Sequence, residues 1–277
     1  MSDDSLYIRR ADRVFVFVVL VMLWHAWNDV LFSSLSGSPL RDSGVEFVYS
    51  LLLHSGIFSA FTDHLLLGVA ADMCLFFLPL GGLLSGRKEI WMRLLALVYT
   101  FYVLYFNAVS GHHYHSSVLL LAVLYSLCLP RQLHEIGWKL ARYYGLFFLG
   151  SAACWKIFRG NIFYADQMRQ MLQTQLAANI WDHQGSLRAL WFLLSDRVLQ
   201  VLLISGAGLQ LAFWVGFFSR RYDGILAGLF ILFMGMNFML MDIFTPELWV
   251  WLMTLTVDLR GWMNRLSFLV ISWRRSS

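Results

Sequence analysis

The chain contains eight apolar segments that follow one another with short connections. They cover residues 14–32, 64–85, 91–110, 115–130, 143–158, 198–219, 222–241 and 246–258. A hydrocarbon core of about 30 Å requires roughly 20 predominantly apolar residues per helix. Soluble domains carry about 25% charged residues, whereas this chain has 14% charged and 59% hydrophobic residues. The pattern therefore predicts an all-α, polytopic transmembrane helical bundle of about eight spans that forms a single domain over residues 1–277.

The basic residues are distributed as the orientation of a membrane protein requires. If the N-terminus lies in the cytoplasm, 15 of the 21 lysines and arginines fall in cytoplasmic segments and 6 in non-cytoplasmic ones. This bias agrees with the positive-inside rule. It predicts that both termini are cytoplasmic and that 259–277 is an interfacial tail. Because orientation accounts for the net charge of +4, we predict no nucleic-acid partner.

Two longer connections on the predicted non-cytoplasmic side, 33–63 and 160–197, mix polar and apolar residues. The first contains an apolar stretch at 45–61 that is interrupted by His54, Ser55 and Gly56, and it fits either an interfacial helix or a re-entrant element. The second carries charged and amide side chains among apolar ones. This mixture predicts an amphipathic helix that lies on the membrane or dips into it.

Apart from the predicted cytoplasmic arginines and lysines, polar side chains concentrate near the predicted non-cytoplasmic ends of the spans. Seven of the eight histidines lie there. Ionisable groups at membrane depth usually face a bundle interior or a wet cavity. The pattern predicts a polar cavity open to the non-cytoplasmic side. The predicted substrate-binding residues are Asn107, His112, Asp72, Asn237 and Asp242. One alternative is that some of these residues lie at the membrane interface and face water. For Asp72 the alternative is that its buried charge pairs with another group and only stabilises the fold.

Three histidines are concentrated between Ser110 and Ser116. On a helix, His112 and His115 lie three residues apart and share a face. Zinc would need one or two further ligands, and no metalloprotease signature is present, so we predict no metal site. The alternatives are hydrogen bonding to a polar substrate, or a helix start satisfied by water and side chains.

Lys156 has distinct chemistry available. Its neighbours at 154, 155, 157 and 158 are a cysteine and three large apolar residues. A lysine beside an apolar wall loses hydration, which makes the neutral amine accessible. A neutral amine acts as a base or a nucleophile. The alternative is that Lys156 snorkels to the interface beside Arg159.

Three stretches carry motifs in a fixed order along the chain. They are Tyr105–Ser117 (YFNAVSGHHYHSS), Phe147–Ile157 (FFLGSAACWKI) and the glycine-rich stretch Leu203–Leu240, which contains Phe233–Asn237 (FMGMN). In this order and spacing they resemble the membrane domain shared by vitamin K-dependent gamma-glutamyl carboxylase and its bacterial relatives, the horizontally transferred transmembrane (HTTM) family. The resemblance covers roughly residues 90–250, and Met234 stands where carboxylases carry a histidine.

The resemblance implies roles for individual residues. Lys156 stands on the lysine that carboxylases use as their base, and His115 stands on the histidine of the family's Ser-Trp-x-Asn-His-x-Tyr-Leu helix start. These two are the predicted catalytic residues. Asn107 would help His115 to orient a polar group, and Asp72 or Asp242 would set the charge state of the lysine.

The function that the resemblance implies is that of a carboxylase-like membrane enzyme without the luminal domain, or of a maturation factor, in a bacterial inner membrane. Its substrate would be a secreted peptide or a lipid-soluble quinone-type molecule, and a reduced quinone is the cofactor implied. Small relatives of this kind mature a secreted toxin of the sporulation-delaying type. Two alternatives stay open: a non-catalytic subunit that binds a partner membrane protein through 160–197, and a small-molecule or proton-coupled transporter.

Overall fold

The computed structural model describes residues 3–40, 47–110, 116–164, 166–175, 194–241 and 244–255. Regular structure in these ranges is helical, which confirms the all-α class. The chain divides into two compact units. Unit 1 comprises Met1–Ala141 and Pro246–Trp251, and unit 2 comprises Arg142–Thr245 and Leu252–Ser277. The prediction of a single membrane domain stays a prediction.

Unit 1 is built from long helices and a few short ones. They are α1 (Asp3–Trp27), α2 (Phe47–His54), α3 (Ile57–Asp63), α4 (Leu65–Leu84), α5 (Lys88–Ser110), α6 (Ser116–Cys128), the first two turns of α7 (His134–Phe158) and, from later in the chain, α12 (Pro246–Trp249). Within the described part of the stretch 45–61, α2 and α3 are separate helices. Gly56 separates them with φ 78°, a left-handed conformation that glycine adopts without strain;.

Unit 2 contains the rest of α7 and the helices that follow it. These are α8 (Gln167–Gln175), α9 (Asp196–Ala212), α10 (Val215–Phe218), α11 (Asp223–Met241) and α13 (Leu252–Leu255). The described part of 160–197 includes α8, and the prediction that this connection lies on the membrane or dips into it stays a prediction. Its buried Met168 and Leu172 pack in a core cluster with residues of α9, including Leu199 and Leu203, so its apolar face is covered by protein.

Four helical stretches are long and apolar enough to cross a bilayer: Leu65–Leu84, Lys88–Val109, Asp196–Phe218 and Arg220–Met239. They match the predicted spans 64–85, 91–110, 198–219 and 222–241. In three of them only 28% of the apolar window is buried inside the protein. Large apolar surfaces left uncovered in this way suit contact with lipid. These helices characterise the chain as an integral, multi-pass membrane protein.

The other four predicted spans overlap helices that do not match them in length or composition. Segment 14–32 overlaps α1, which begins eleven residues earlier, at Asp3, and carries charged residues in its first half. Segment 115–130 corresponds to α6, whose 13 residues span about 20 Å at 1.5 Å per residue;. Segment 143–158 is the second part of α7. Within the described part of 246–258 there are two four-residue helices rather than one continuous helix.

Several basic residues assigned to the cytoplasmic side are engaged inside unit 1. Arg10 lies 2.6 Å from Glu135 and stacks over the ring of Trp138 at 4.7 Å. Lys88 lies 2.5 Å from Asp12, and its Nζ also donates to the carbonyls of residues 82 and 83 at the end of α4. These contacts hold α1 against its neighbours and satisfy carbonyls that a helix end leaves open.

In unit 2 the buried Arg142 performs a similar task. Its guanidinium donates to both carboxylate oxygens of Asp223, at 3.1 and 2.5 Å, and to the carbonyl of Gly216 at 2.9 Å. This fork connects α7 to α10 and to the first turn of α11. Further along α7, Gly150 lies directly against the indole of Trp214, where a side chain would collide with the ring.

Candidate functional site

Lys156 lies near the end of α7 and points to an amide rather than to a carboxylate. Its Nζ donates to Oε1 of Gln210 on α9 at 3.0 Å. Lys156 is half-buried, and Gln210 is 5% exposed. Within the part of the chain that the structure describes, no carboxylate lies at ion-pair distance from this amine. The amine is therefore held by a neutral acceptor.

Helical spacing explains why these two side chains meet. Leu203, Ala207 and Gln210 follow one another at steps of four and three along α9 and form its buried face;. On α7, Ala153 lies three residues before Lys156 and packs in the same core cluster as Leu203 and Ala207. Gln210 thus continues an apolar face and ends it with a polar group.

Exposed aromatic residues surround the end of α7 next to this amine. Trp155 and Phe158 have stacked rings with centroids 6.2 Å apart, and Arg159 lies 4.5 Å above the Trp155 ring. The helix then stops at Gly160, which has φ 72°;. Aromatic side chains with an arginine are typical of a membrane–water interface. Because Arg159 stacks on Trp155 while Lys156 turns to a buried amide, the geometry favours an internal site over the snorkelling alternative.

Asp72 has a structural task. It is 7% exposed, and its two carboxylate oxygens accept hydrogen bonds from the backbone amides of Phe32 and Ser33 at 2.9 and 3.0 Å. One turn earlier on α4, a Cβ on Gly68 would come within 3.0 Å of the Ser33 backbone. Gly68 and Asp72 together hold the turn at 31–37 against α4. This agrees with the structural alternative, and a role of Asp72 in substrate binding stays a prediction.

The remaining predicted site residues are distributed over both units or lie outside the described residues. Asn107 is half-buried in the last turn of α5, in unit 1. Asn237 is half-buried on α11, in unit 2. His112, His115 and Asp242 lie outside the described residues. The roles of these five residues stay predictions.

The sequence interpretation did not select three residues that meet in unit 1. His25 Nε2 lies 2.7 Å from Glu247 Oε1, with 3% and 0% of the two side chains exposed. The other ring nitrogen of His25 lies 3.3 Å from the hydroxyl of Tyr102. His25 and Glu247 carried a usable signal, since both are ionisable residues near predicted span ends. Gln210 carried one too, as a lone amide in the middle of an apolar span.

No group of three or more histidine, cysteine, aspartate or glutamate side chains in the described ranges is placed to hold a metal ion. Two arrangements of buried or half-buried ionisable side chains are present in these ranges, namely Lys156 with Gln210 and His25 with Glu247. Comparison with protein-family models, with characterised proteins and with solved structures finds no match to this chain.

Proposed function

We propose that this chain is a membrane enzyme or maturation factor similar to the carboxylase-like HTTM proteins, with Lys156 as its base. It would act on a secreted peptide or a lipid-soluble quinone-type molecule. The proposal includes about eight spans, both termini in the cytoplasm of a bacterial host, and a polar cavity on the non-cytoplasmic side of the inner membrane. The hydrogen bond from Lys156 to the neutral amide of Gln210 is the observation that carries it.

Comparison with the other cations shows why this hydrogen bond is informative. Five lysines or arginines of the described ranges are not exposed to solvent. Four of them pair with a carboxylate, namely Arg10, Lys88, Arg142 and Arg169. Lys156 is the fifth. A structural cation at membrane depth gains most from an opposite charge. That no described carboxylate pairs with Lys156 therefore supports the proposal that this amine has another task.

A neutral hydrogen-bond partner is favourable for an amine that acts as a base. Loss of hydration disfavours the charged form of an amine, while a nearby carboxylate would restore the preference for that form. Gln210 can orient Lys156 through its carbonyl oxygen without supplying a negative charge. A proton acceptor held in this way contributes roughly 10²–10⁴-fold to the rate of a proton transfer. His115, Asn107, His112, Asn237 and Asp242 keep their proposed roles around the substrate.

The experiment replaces Lys156 by alanine and by arginine and follows the peptide and quinone pools of the host membrane by mass spectrometry. Both variants should fold and lose the product that the wild type makes, because neither supplies a neutral amine at neutral pH. Arg159→Lys is the matched control, since it changes an exposed cation three residues further along the chain. This control should keep the product.

The same variants separate catalysis from a scaffold role. If Lys156→Arg keeps full activity, a neutral-amine base is refuted and the partner-binding alternative becomes the better one. That alternative predicts that changes across 160–197 abolish function while Lys156 variants do not. The apolar face of α8 is already occupied by Leu199 and Leu203 in unit 2, so a partner held by α8 would have to contact its polar face.

A further inference from the structure

The side-chain amide of Gln210 has a second polar group that the bond to Lys156 leaves unused. Its Oε1 accepts from Nζ of Lys156 at 3.0 Å, while its Nε2 has two N–H groups to donate;. We propose that Nε2 of Gln210 binds a carbonyl oxygen of the substrate beside this amine, and that the proton removed lies on the carbon next to that carbonyl. The substrate class is then a carbonyl compound. The assignment rests on the proposed function, because Lys156 supplies the base.

Gln210 differs from other side-chain amides of the described ranges in what its nitrogen does. Three amides that are more exposed than Gln210 donate from their nitrogen to an oxygen of the protein, namely Asn28, Gln170 and Gln200. Gln210 is only 5% exposed, yet its Nε2 donates to none of the described residues. Buried polar groups are nearly always hydrogen-bonded, and a donor without an acceptor is costly. The free N–H groups therefore fit an acceptor that the protein does not itself supply.

The orientation of the amide keeps the amine available as a base. A neutral lysine amine has two N–H groups and one lone pair. One of these N–H groups donates to Oε1 of Gln210, so the lone pair stays free to take a proton from the substrate. The opposite orientation, with Nε2 toward the amine, would place an N–H group on that lone pair. The observed contact is thus the one that a base requires, and it leaves both N–H groups of Nε2 unoccupied.

An oxygen bound to Nε2 of Gln210 lies next to the amine of Lys156. Oε1 and Nε2 are attached to the same planar carbon, and one N–H group points to the same side as Oε1. A substrate oxygen on that N–H group therefore lies beside Nζ, which contacts Oε1. Because the base and the donor then reach different atoms of one small group, the arrangement suits a carbon acid, in which one atom loses the proton and another gains the charge.

The surroundings of the pair on α7 and α9 are apolar. Ala153 and Ala207 lie three residues before Lys156 and Gln210 and are buried in the core cluster of unit 2. Trp214, four residues after Gln210, lies directly against α7. In such surroundings a fixed N–H donor stabilises a developing negative charge on oxygen more strongly than it does in water. Gln210 is therefore placed to lower the barrier to proton removal.

The proton transfer balances in atoms and charge. The lone pair of Nζ forms a bond to the proton on the carbon next to the carbonyl. The electron pair of the broken C–H bond becomes the second bond of a C=C group, and one pair of the C=O group moves onto the oxygen. Nε2 of Gln210 donates to this oxygen as its negative charge grows. The products are the ammonium group of Lys156 and an enolate, with zero combined charge.

The test compares two reagents on the lysines of the full chain in lipid nanodiscs. p-Nitrophenyl acetate acetylates an amine through attack on a carbonyl, whereas iodoethane ethylates an amine at a carbon without oxygen. Mass spectrometry of the digested chain gives, for each reagent, the rate at Lys156 divided by the rate at the exposed Lys139. A neutral amine raises both ratios alike. Binding of the carbonyl oxygen raises only the acetylation ratio, which should exceed the ethylation ratio by about tenfold or more.

Two matched substitutions on α9 identify the donor. Gln210→Met removes the amide and keeps an unbranched side chain, so it should lower the acetylation ratio by about tenfold or more and leave the ethylation ratio unchanged. Gln200→Met, the same change ten residues earlier on the helix, should alter neither ratio. An acetylation ratio that survives in Gln210→Met overturns the assignment of the donor.

The wild-type chain alone gives two further outcomes. If its acetylation ratio does not exceed its ethylation ratio, the carbonyl-binding role of Gln210 is overturned without any variant, while the base assignment stands. If ethylation at Lys156 instead rises with pH around neutrality as steeply as ethylation at Lys139, the amine is not neutral. The proposed function is then refuted, and the role of Gln210 is refuted with it.

Discussion

The buried fork between Arg142 and Asp223 allows the most direct test of how unit 2 is held together. We consider Arg142→Met, which keeps an unbranched apolar stem and removes the guanidinium. Arg142 is 1% exposed and Asp223 is 14% exposed, so the carboxylate would stay buried without this partner. The carbonyl of Gly216 would also lose its donor. Breaking a buried pair by removing one member costs about 3–5 kcal/mol.

The assay is equilibrium unfolding of the purified chain in mixed micelles, with a denaturing detergent as titrant and helicity as the signal. A loss of about 3–5 kcal/mol lowers the folded-to-unfolded ratio roughly 10²–10⁴-fold. Arg159→Met is the matched control, in the turn that directly follows the same helix. Its guanidinium is exposed and stacks on Trp155, and an exposed cation–π contact contributes about 0.5–1 kcal/mol.

A double variant identifies the origin of the loss. Arg142→Met combined with Asp223→Asn removes both charges, so the cost of an uncompensated buried carboxylate disappears. The double variant should be more stable than Arg142→Met alone by at least about 2 kcal/mol. If Arg142→Met and Arg159→Met unfold within about 1 kcal/mol of each other, the inference that the fork connects α7 to α10 and α11 is wrong.

Three further substitutions test the packing of the helices in unit 2 and the chemistry at the end of α7. Gly150→Ala should destabilise the chain by about 1–3 kcal/mol, because a Cβ there collides with the indole of Trp214;. Gly208→Ala, which has open space around it, should instead stabilise by up to about 1 kcal/mol, and equal effects in the same unfolding assay would refute this argument. Gln210→Glu should preserve the fold but abolish product formation at neutral pH, because a carboxylate at 3.0 Å would hold Lys156 in its charged form;. Unchanged product in mass spectrometry would contradict the base assignment.

The sequence predicted the long lipid-facing helices well because their signal is local. A run of apolar residues of the right length defines α4 within one residue at each end, as the comparison of 64–85 with Leu65–Leu84 shows. The predicted span at 14–32 covers only the later part of α1, because the helix begins eleven residues earlier, at Asp3. Its charged first half looked like a connection because the partner of Arg10, Glu135, lies 125 residues away. A hydropathy profile carries no information on ion pairs between residues so far apart in the sequence.

The residues of the candidate site also differ in whether the sequence around them carries a local signal. Lys156 was predictable, since a charged residue in an apolar segment is conspicuous by itself. Its acceptor Gln210 was not selected, because it lies 54 residues further along the chain and the sequence does not show that the two side chains meet. The His25–Glu247 pair joins residues from opposite ends of the chain, and each residue alone was equally compatible with an interfacial position in water.

The described structure also changes what the positive-inside pattern means for this chain. Arg10, Lys88 and Arg142 were counted for their side of the membrane, yet each is buried and fixed by a specific carboxylate. One residue can meet both demands, because orientation depends on the charge during insertion whereas packing depends on the partner found afterwards. The burial of each of these three cations is accounted for by its carboxylate partner. Lys156 donates instead to the neutral amide of Gln210, and this difference among the described residues is what supports the proposed base.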